Sequence, residues 1–414
     1  MLLWNNRVFV RMFAAYSLST LGDWFDFIAV TMLLGYVWQA DPMLMALLPL
    51  VYAGPGLVLG QVAGFLADRR NKLRLMIATD LCRALLTAAA VFAPDPAWLF
   101  GVMLLRSCAM AVNAPAQQAL TRHVVPPEQL LRAASLNGTA YQLGKLLGPL
   151  LGGTMAAFVS PSACLIVNAC SFLLSAAILS SAGNVEEARP AAAAQEERSG
   201  FGESWKEGWR ILIRSRVLFA STLYSLIALM AVQLVDAQFV VILREKAPAH
   251  PELLGWKTSA IGLGALLTVT GLGRFREITA YGWVLGGGVL LIGGAFAWLG
   301  LYRPGSGIHW LLIAAFLAGV GTGLTSVGSA YLRQKETPKE AIGRVMGIFD
   351  SLTSAIFIAA PLLGGLLITA WGASLSFQRI GFLIAAIGAA GILLQRVIWG
   401  RRRTEAASVQ VSAE

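Results

Sequence analysis

The sequence predicts an all-α membrane protein, with twelve transmembrane helices in two pseudo-symmetric halves of six. Three observations predict it. The 414 residues are 57% hydrophobic and only 13% charged, about half the charged share of a soluble domain. Apolar runs longer than the roughly 20 residues that cross a bilayer recur along the chain. The chain also matches itself at an offset of 212 residues: Pro126, Glu128 and Arg132 fall on Pro338, Glu340 and Arg344, and Pro149 to Gly153 fall on Pro361 to Gly365.

Spans are predicted near 8–37, 43–66, 73–93, 97–120, 133–158 and 161–182, then 217–243, 253–272, 278–300, 307–332, 341–370 and 376–398. Residues 1–182 form the first bundle, 183–216 a cytoplasmic linker, 217–398 the second bundle and 399–414 a cytoplasmic tail. The forty-three glycines suit closely packed membrane helices. The first span is too long for a cleaved signal and stays as an anchor. The four cysteines sit in apolar runs and read as small hydrophobes, not as a disulfide or metal set.

Alternate loops divide the basic residues unevenly. Twenty-four Lys and Arg fall on the side of both termini; five, Arg244, Lys246, Lys257, Arg303 and Arg379, fall on the other. The positive-inside rule puts both termini in the cytoplasm of a plasma-membrane protein of bacterial type. The basic loops also account for the net charge of +10 without a nucleic-acid partner. Trp38, Trp98, Trp298, Trp310 and Trp371 fall at outer ends, and Trp4, Trp205, Trp209 and Trp399 at inner ends. In the linker, Trp205, Trp209, Leu212 and Ile213 recur at helical spacing and predict an amphipathic helix on the inner leaflet.

Between spans two and three, "GQVAGFLADRRNKLRLM" carries Gly64, Asp68, Arg69, Lys72 and Arg74. Glycine permits close helix packing, and an aspartate at a helix end can pair with arginine and with a facing helix N-terminus. The stretch resembles the loop signature of major facilitator transporters, departing from it at Asn71, where that family has glycine. The six-plus-six repeat is also similar to that fold. The resemblance implies that these residues latch the cytoplasmic side, together with Asp80, Arg83 and Asp350. Span five holds "GKLLGPLLGG", with Gly144, Gly148, Pro149, Gly152 and Gly153. It resembles the motif of export antiporters in that superfamily, with Ser135 where the motif's first glycine stands. The stretches 77–86 and 113–138 resemble the branch of macrolide-efflux proteins and the enterobactin exporter.

Ionisable residues inside spans are costly and mark function by default. Asp23, Asp26, Asp80, Asp236 and Asp350 stand against Arg83, Arg106 and Lys145. At about 1.5 Å per residue, Asp23 lies roughly 22 Å from the inner end, with Arg106 and Lys145 also near mid-membrane. The resemblance implies that spans one, four, seven and ten line the cavity, which brings Asp23, Asp26, Arg106 and Asp236 together. Asp23 and Asp26 share a helix face. Two close carboxylates out of water do not both ionise easily, so one is expected to hold a coupling proton while Arg106 keeps the other charged. Asp80 and Arg83 are expected to pair structurally, and Asp350 to pair with the latch or with Lys145. Asn113 and Gln117 are candidates for hydrogen bonds to cargo.

The expected function is secondary transport: proton-coupled, or coupled to another ion, exporting an amphipathic drug or siderophore by alternating access. The excess of acid favours a cationic or amphipathic cargo. Alternatives are a lipid transporter of the same fold and a non-transporting sensor or scaffold. No catalytic residue, metal or cofactor is expected, and a monomer suffices.

Overall fold

A computed structural model describes residues 3–126, 129–183, 201–272, 274, 277–303, 307–338 and 341–399, with side chains at all of these except 60–69, 131, 135, 201–204, 342 and 343. Helix α1 (Arg7–Met32) begins at Asn6, whose side chain accepts from the Phe9 amide, and ends in a π-helical turn over Leu33–Val37. Helix α2 (Pro42–Arg69) starts on a proline, and Asp41 accepts from the Leu44 amide. Asn71 caps α3 (Lys72–Val91), Asp95 caps α4 (Pro96–Val124) and Ser160 caps α6 (Pro161–Ser180). Such short polar side chains satisfy amide groups that the first helical turn leaves bare. Helix α5 is Leu130–Phe158.

The second half holds α8 (Arg216–Asp236), the short α9 (Phe239–Lys246), α10 (Leu253–Leu272), α11 (Gly287–Leu301), α12 (Ile308–Glu336), α13 (Ile342–Trp371), α14 (Ala373–Leu393) and a last turn, α15 (Gln395–Ile398). A π-helical turn, Gly282–Gly286, leads into α11. The predicted span 217–243 is therefore two helices. They break at Gln238, whose buried side chain turns away to donate to the Pro42 carbonyl of the first half. Ten described helices are long and apolar enough to cross a membrane. Two further long helices, α3 and α5, complete the twelve; α3 carries Lys72, Arg74, Asp80 and Arg83.

The linker helix α7 (Phe201–Arg214) is amphipathic, but it does not lie free. Leu212 is buried with Val345 and Ile348 of α13, and Glu207 pairs with Arg344. Trp399 is buried against Tyr224, ring centroids 5.0 Å apart.

The halves meet at the face opposite the termini. There Gly153 of α5 abuts Gly255 of α10, the Ser259 hydroxyl donates to the Leu146 carbonyl (2.7 Å), and Arg244 donates to the Gly35 carbonyl (3.0 Å). Toward the termini the same helices part: a side chain added at Gly138 of α5 or Gly271 of α10 would meet nothing within 4 Å. The repeat is visible in this packing. Gly152 lies on Phe25 of α1 and its counterpart Gly364 on Leu234 of α8, each inside its own half. Gly153 and Gly365 instead touch the other half.

Candidate functional site

The parting encloses a cavity of about 1180 Å³ that runs from the middle of the bundle toward the terminal face. It exceeds the few hundred to about 1,000 Å³ of usual drug-sized pockets. Asp23, Asp80, Arg83, Arg106, Asn113, Gln117, Lys145 and Asp236 all line it.

On its first-half wall the charges are paired by helix packing. Asp26 is fully buried. Arg106 Nη1 lies 2.5 Å from its Oδ1 and Nη2 2.6 Å from its Oδ2, where the Tyr52 hydroxyl also donates at 2.7 Å. Asp23, three residues earlier, takes a different partner. Arg83 Nη2 lies 2.7 and 2.8 Å from its two oxygens, and the guanidinium stacks over Phe172 at 3.9 Å. The expected pairing of Asp80 with Arg83 is therefore secondary, at 3.7 Å. Asp80 is held instead by Ser175 (2.6 Å) and Asn113 (3.2 Å). Asn113, expected to face cargo, spends its amide on Asp80 and Thr79. Asp23 and Asp26 thus take different arginines. Each is claimed by its own arginine, because one helical turn of α1 faces α3 and the same turn's far end faces α4.

The glycines of span five explain how α1 comes so close. Gly144 meets Thr20, Gly148 meets Trp24 and Gly152 meets Phe25, so α5 packs directly on the turn that carries both aspartates. Phe25 faces the core, whereas Trp24 faces the cavity.

Across the cavity Asp236 pairs with Lys257 at 3.0 Å, and the ammonium sits over Phe239 at 4.0 Å. Lys257 corrects the count of intramembrane charges: it is no loop residue but a buried side chain in the second turn of α10. Tyr52 was missed because a lone tyrosine in a span carries no signal. Asp350 pairs with neither Lys145 nor any cation within 4 Å among the described residues. It is exposed, and the charge beside it is Arg333, which stacks over Phe349. Of the loop motif, Lys72 is buried at the start of α3 and Arg74 is exposed. The surroundings of Gly64 and the side chains of Asp68 and Arg69 lie outside those described. The departure at Asn71 has a local reason, since it accepts from the Arg74 amide at 2.9 Å and starts α3.

Two six-helix halves, closed at one face around a charged central cavity, define a membrane transporter. The family model described as Major Facilitator Superfamily matches residues 12–246 and 239–413, and the chain belongs to that superfamily. It is 31% identical over 404 residues to the uncharacterized MFS-type transporter YfiS of Bacillus subtilis, covering 96% of this chain and 95% of the relative. It is 27% identical to a multi-drug resistance efflux pump PmrA homolog of Lactococcus lactis (84% and 83% covered). It is 24% identical to macrolide efflux protein A of Streptococcus pyogenes (80% and 82% covered). Among solved structures, a bacterial homolog of the human lysosomal transporter Spinster, inward-facing and unoccupied, superposes with a TM-score of 0.70 at 14% identity, covering 95% and 96%. That likeness is one of fold.

Proposed function

We propose that this chain is a proton-coupled exporter of amphipathic small molecules. In this reading it sits in a bacterial inner membrane with both termini in the cytoplasm, and it works as a monomer by alternating access. The parted face is then the cytoplasmic one and the structure is open inward, ready to receive cargo from the cell. The efflux pumps among its relatives support the direction of transport.

One observation carries the coupling: Asp23 and Asp80 face a single arginine, Arg83. One guanidinium balances one carboxylate, so the second negative charge at this wall is the natural seat of a proton. Of the two, Asp23 is the one that a proton from the cavity can reach, because its side chain is 29% exposed whereas that of Asp80 is 4% exposed. The glycines of α5 and the loop residues Gly64 to Arg74 serve the rocking of the halves and their latch.

Proteoliposomes with an imposed pH gradient test this. Wild-type protein should concentrate a macrolide against its gradient. Asp23→Asn should abolish that and keep exchange of labelled for unlabelled macrolide. Unimpaired gradient-driven transport by Asp23→Asn would sink the reading. A lipid-transporting alternative has one feature in its favour, an apolar groove between α1 and α5 lined by Phe13, Leu21, Leu143 and Leu147. It predicts lysolipid movement in the same vesicles.

A further inference from the structure

The fold alters the charge balance around the cargo. Asp350 does not line the cavity, whereas Arg122 and Lys257 do. With Asp26 set against Arg106, the carboxylates Asp23, Asp26, Asp80 and Asp236 face the cations Arg83, Arg106, Arg122, Lys145 and Lys257. The walls carry no excess of acid. Pairing disposes of most of these charges: Asp26 with Arg106, Asp23 and Asp80 with Arg83, and Asp236 with Lys257. Arg122, in the last turn of α4, is exposed at the mouth and solvated.

Lys145 remains. It lies about 22 Å along α5 from Leu130, near the middle of that helix, at 1.5 Å per residue. It is partly buried and has no carboxylate within 4 Å among the described residues. Asn137, Tyr141 and Lys145 stand four residues apart and line one strip of the cavity, and the buried Asn137 Oδ1 has no hydrogen-bond partner among the described residues. Lys145 also sits at the seam of the halves, since its carbonyl lies 3.7 Å from where a side chain at Gly262 would begin. A solvated ammonium is tolerable while the cavity is open. When the halves close and expel water, an unpaired charge becomes expensive unless the cargo brings its opposite. Trp24, Phe27, Met110 and Phe357 offer an apolar surface for the rest of such a molecule.

We propose that Lys145 binds an anionic group of the cargo, so that among amphipathic molecules the cavity prefers those that carry an acid. This rests on the exporter reading and narrows the cationic or amphipathic cargo expected from sequence to an amphipathic one, since the excess of acid behind the cationic reading is not found on these walls.

The test uses two dyes with one scaffold: rhodamine B, which has a free carboxylate, and rhodamine B ethyl ester, which lacks it. Binding to the purified full chain is read by fluorescence polarisation. Wild type should prefer the acid by about tenfold or more, the effect of one hydrogen-bonded charge. Lys145→Gln and Lys145→Met should lower the affinity for the acid to that for the ester, and Lys145→Arg should restore it. Equal binding of the two dyes by wild type, absence of binding included, overturns the inference, as does an unchanged preference in both neutral variants. Failure of the exporter reading is separate: the acid would bind with its Lys145-dependent preference, yet proteoliposomes would move neither dye.

Discussion

The Arg83 guanidinium lies within 2.8 Å of both carboxylate oxygens of Asp23, across the gap between α3 and α1. Asp26, one turn along α1, is sealed against Arg106. Two aspartates that look equivalent in sequence therefore have different consequences when neutralised.

Asp26→Asn should be a stability variant. It strands the Arg106 charge in a fully buried site, which costs about 3–5 kcal/mol. Thermal unfolding in detergent should show a clear fall in Tm for Asp26→Asn and a much smaller one for the more exposed Asp23→Asn. Equal shifts would mean that the two pairs are not distinguished by burial.

Gly153→Val should push the halves apart at the face opposite the termini. A Cβ at this position would stand 2.6 Å from the Gly255 Cα, and backbone cannot step aside as a flexible side chain can. Spin labels on α5 and α10 near that face should report longer distances by electron–electron resonance, with transport reduced. Gly138→Val, where the added group meets nothing within 4 Å, should leave the distances as they are.

Docking of α7 on α13 should depend on its apolar contact more than on its ion pair. Glu207 and Arg344 are substantially exposed, so Arg344→Ala should cost less than about 1 kcal/mol. Leu212→Asp buries a charge among Val345 and Ile348 and should release the helix. Hydrogen–deuterium exchange over 205–214 should rise strongly in Leu212→Asp and little in Arg344→Ala.

Asn71→Ala should weaken the start of α3 by about 1 kcal/mol, while Asn71→Gly costs only a few tenths. The lost group is the acceptor of the Arg74 amide. Faster exchange in the first turn of α3, greater for alanine than for glycine, is the expected readout.

The helices were legible because their causes are local. Apolar runs of bilayer length, prolines and polar caps such as Asp95-Pro96 and Ser160-Pro161 mark spans in the chain itself. The break at Gln238 was not legible, since it depends on the Pro42 carbonyl, 196 residues away in sequence. Nor was the true place of Lys257. A lysine near the end of an apolar run reads as a loop residue until the Asp236 carboxylate and the Phe239 ring are seen to cover it.

The sequence by itself determined the long apolar helices and their repeat as two halves. Those follow from periodicity, composition and 1.5 Å of rise per residue. Only the tertiary structure decided which charge meets which. An ion pair across helices depends on how each helix is rotated about its axis, and packing contacts such as Gly148 on Trp24 set that rotation. So Asp23 went to Arg83, Asp26 to Arg106, and Lys145 was left facing the cavity.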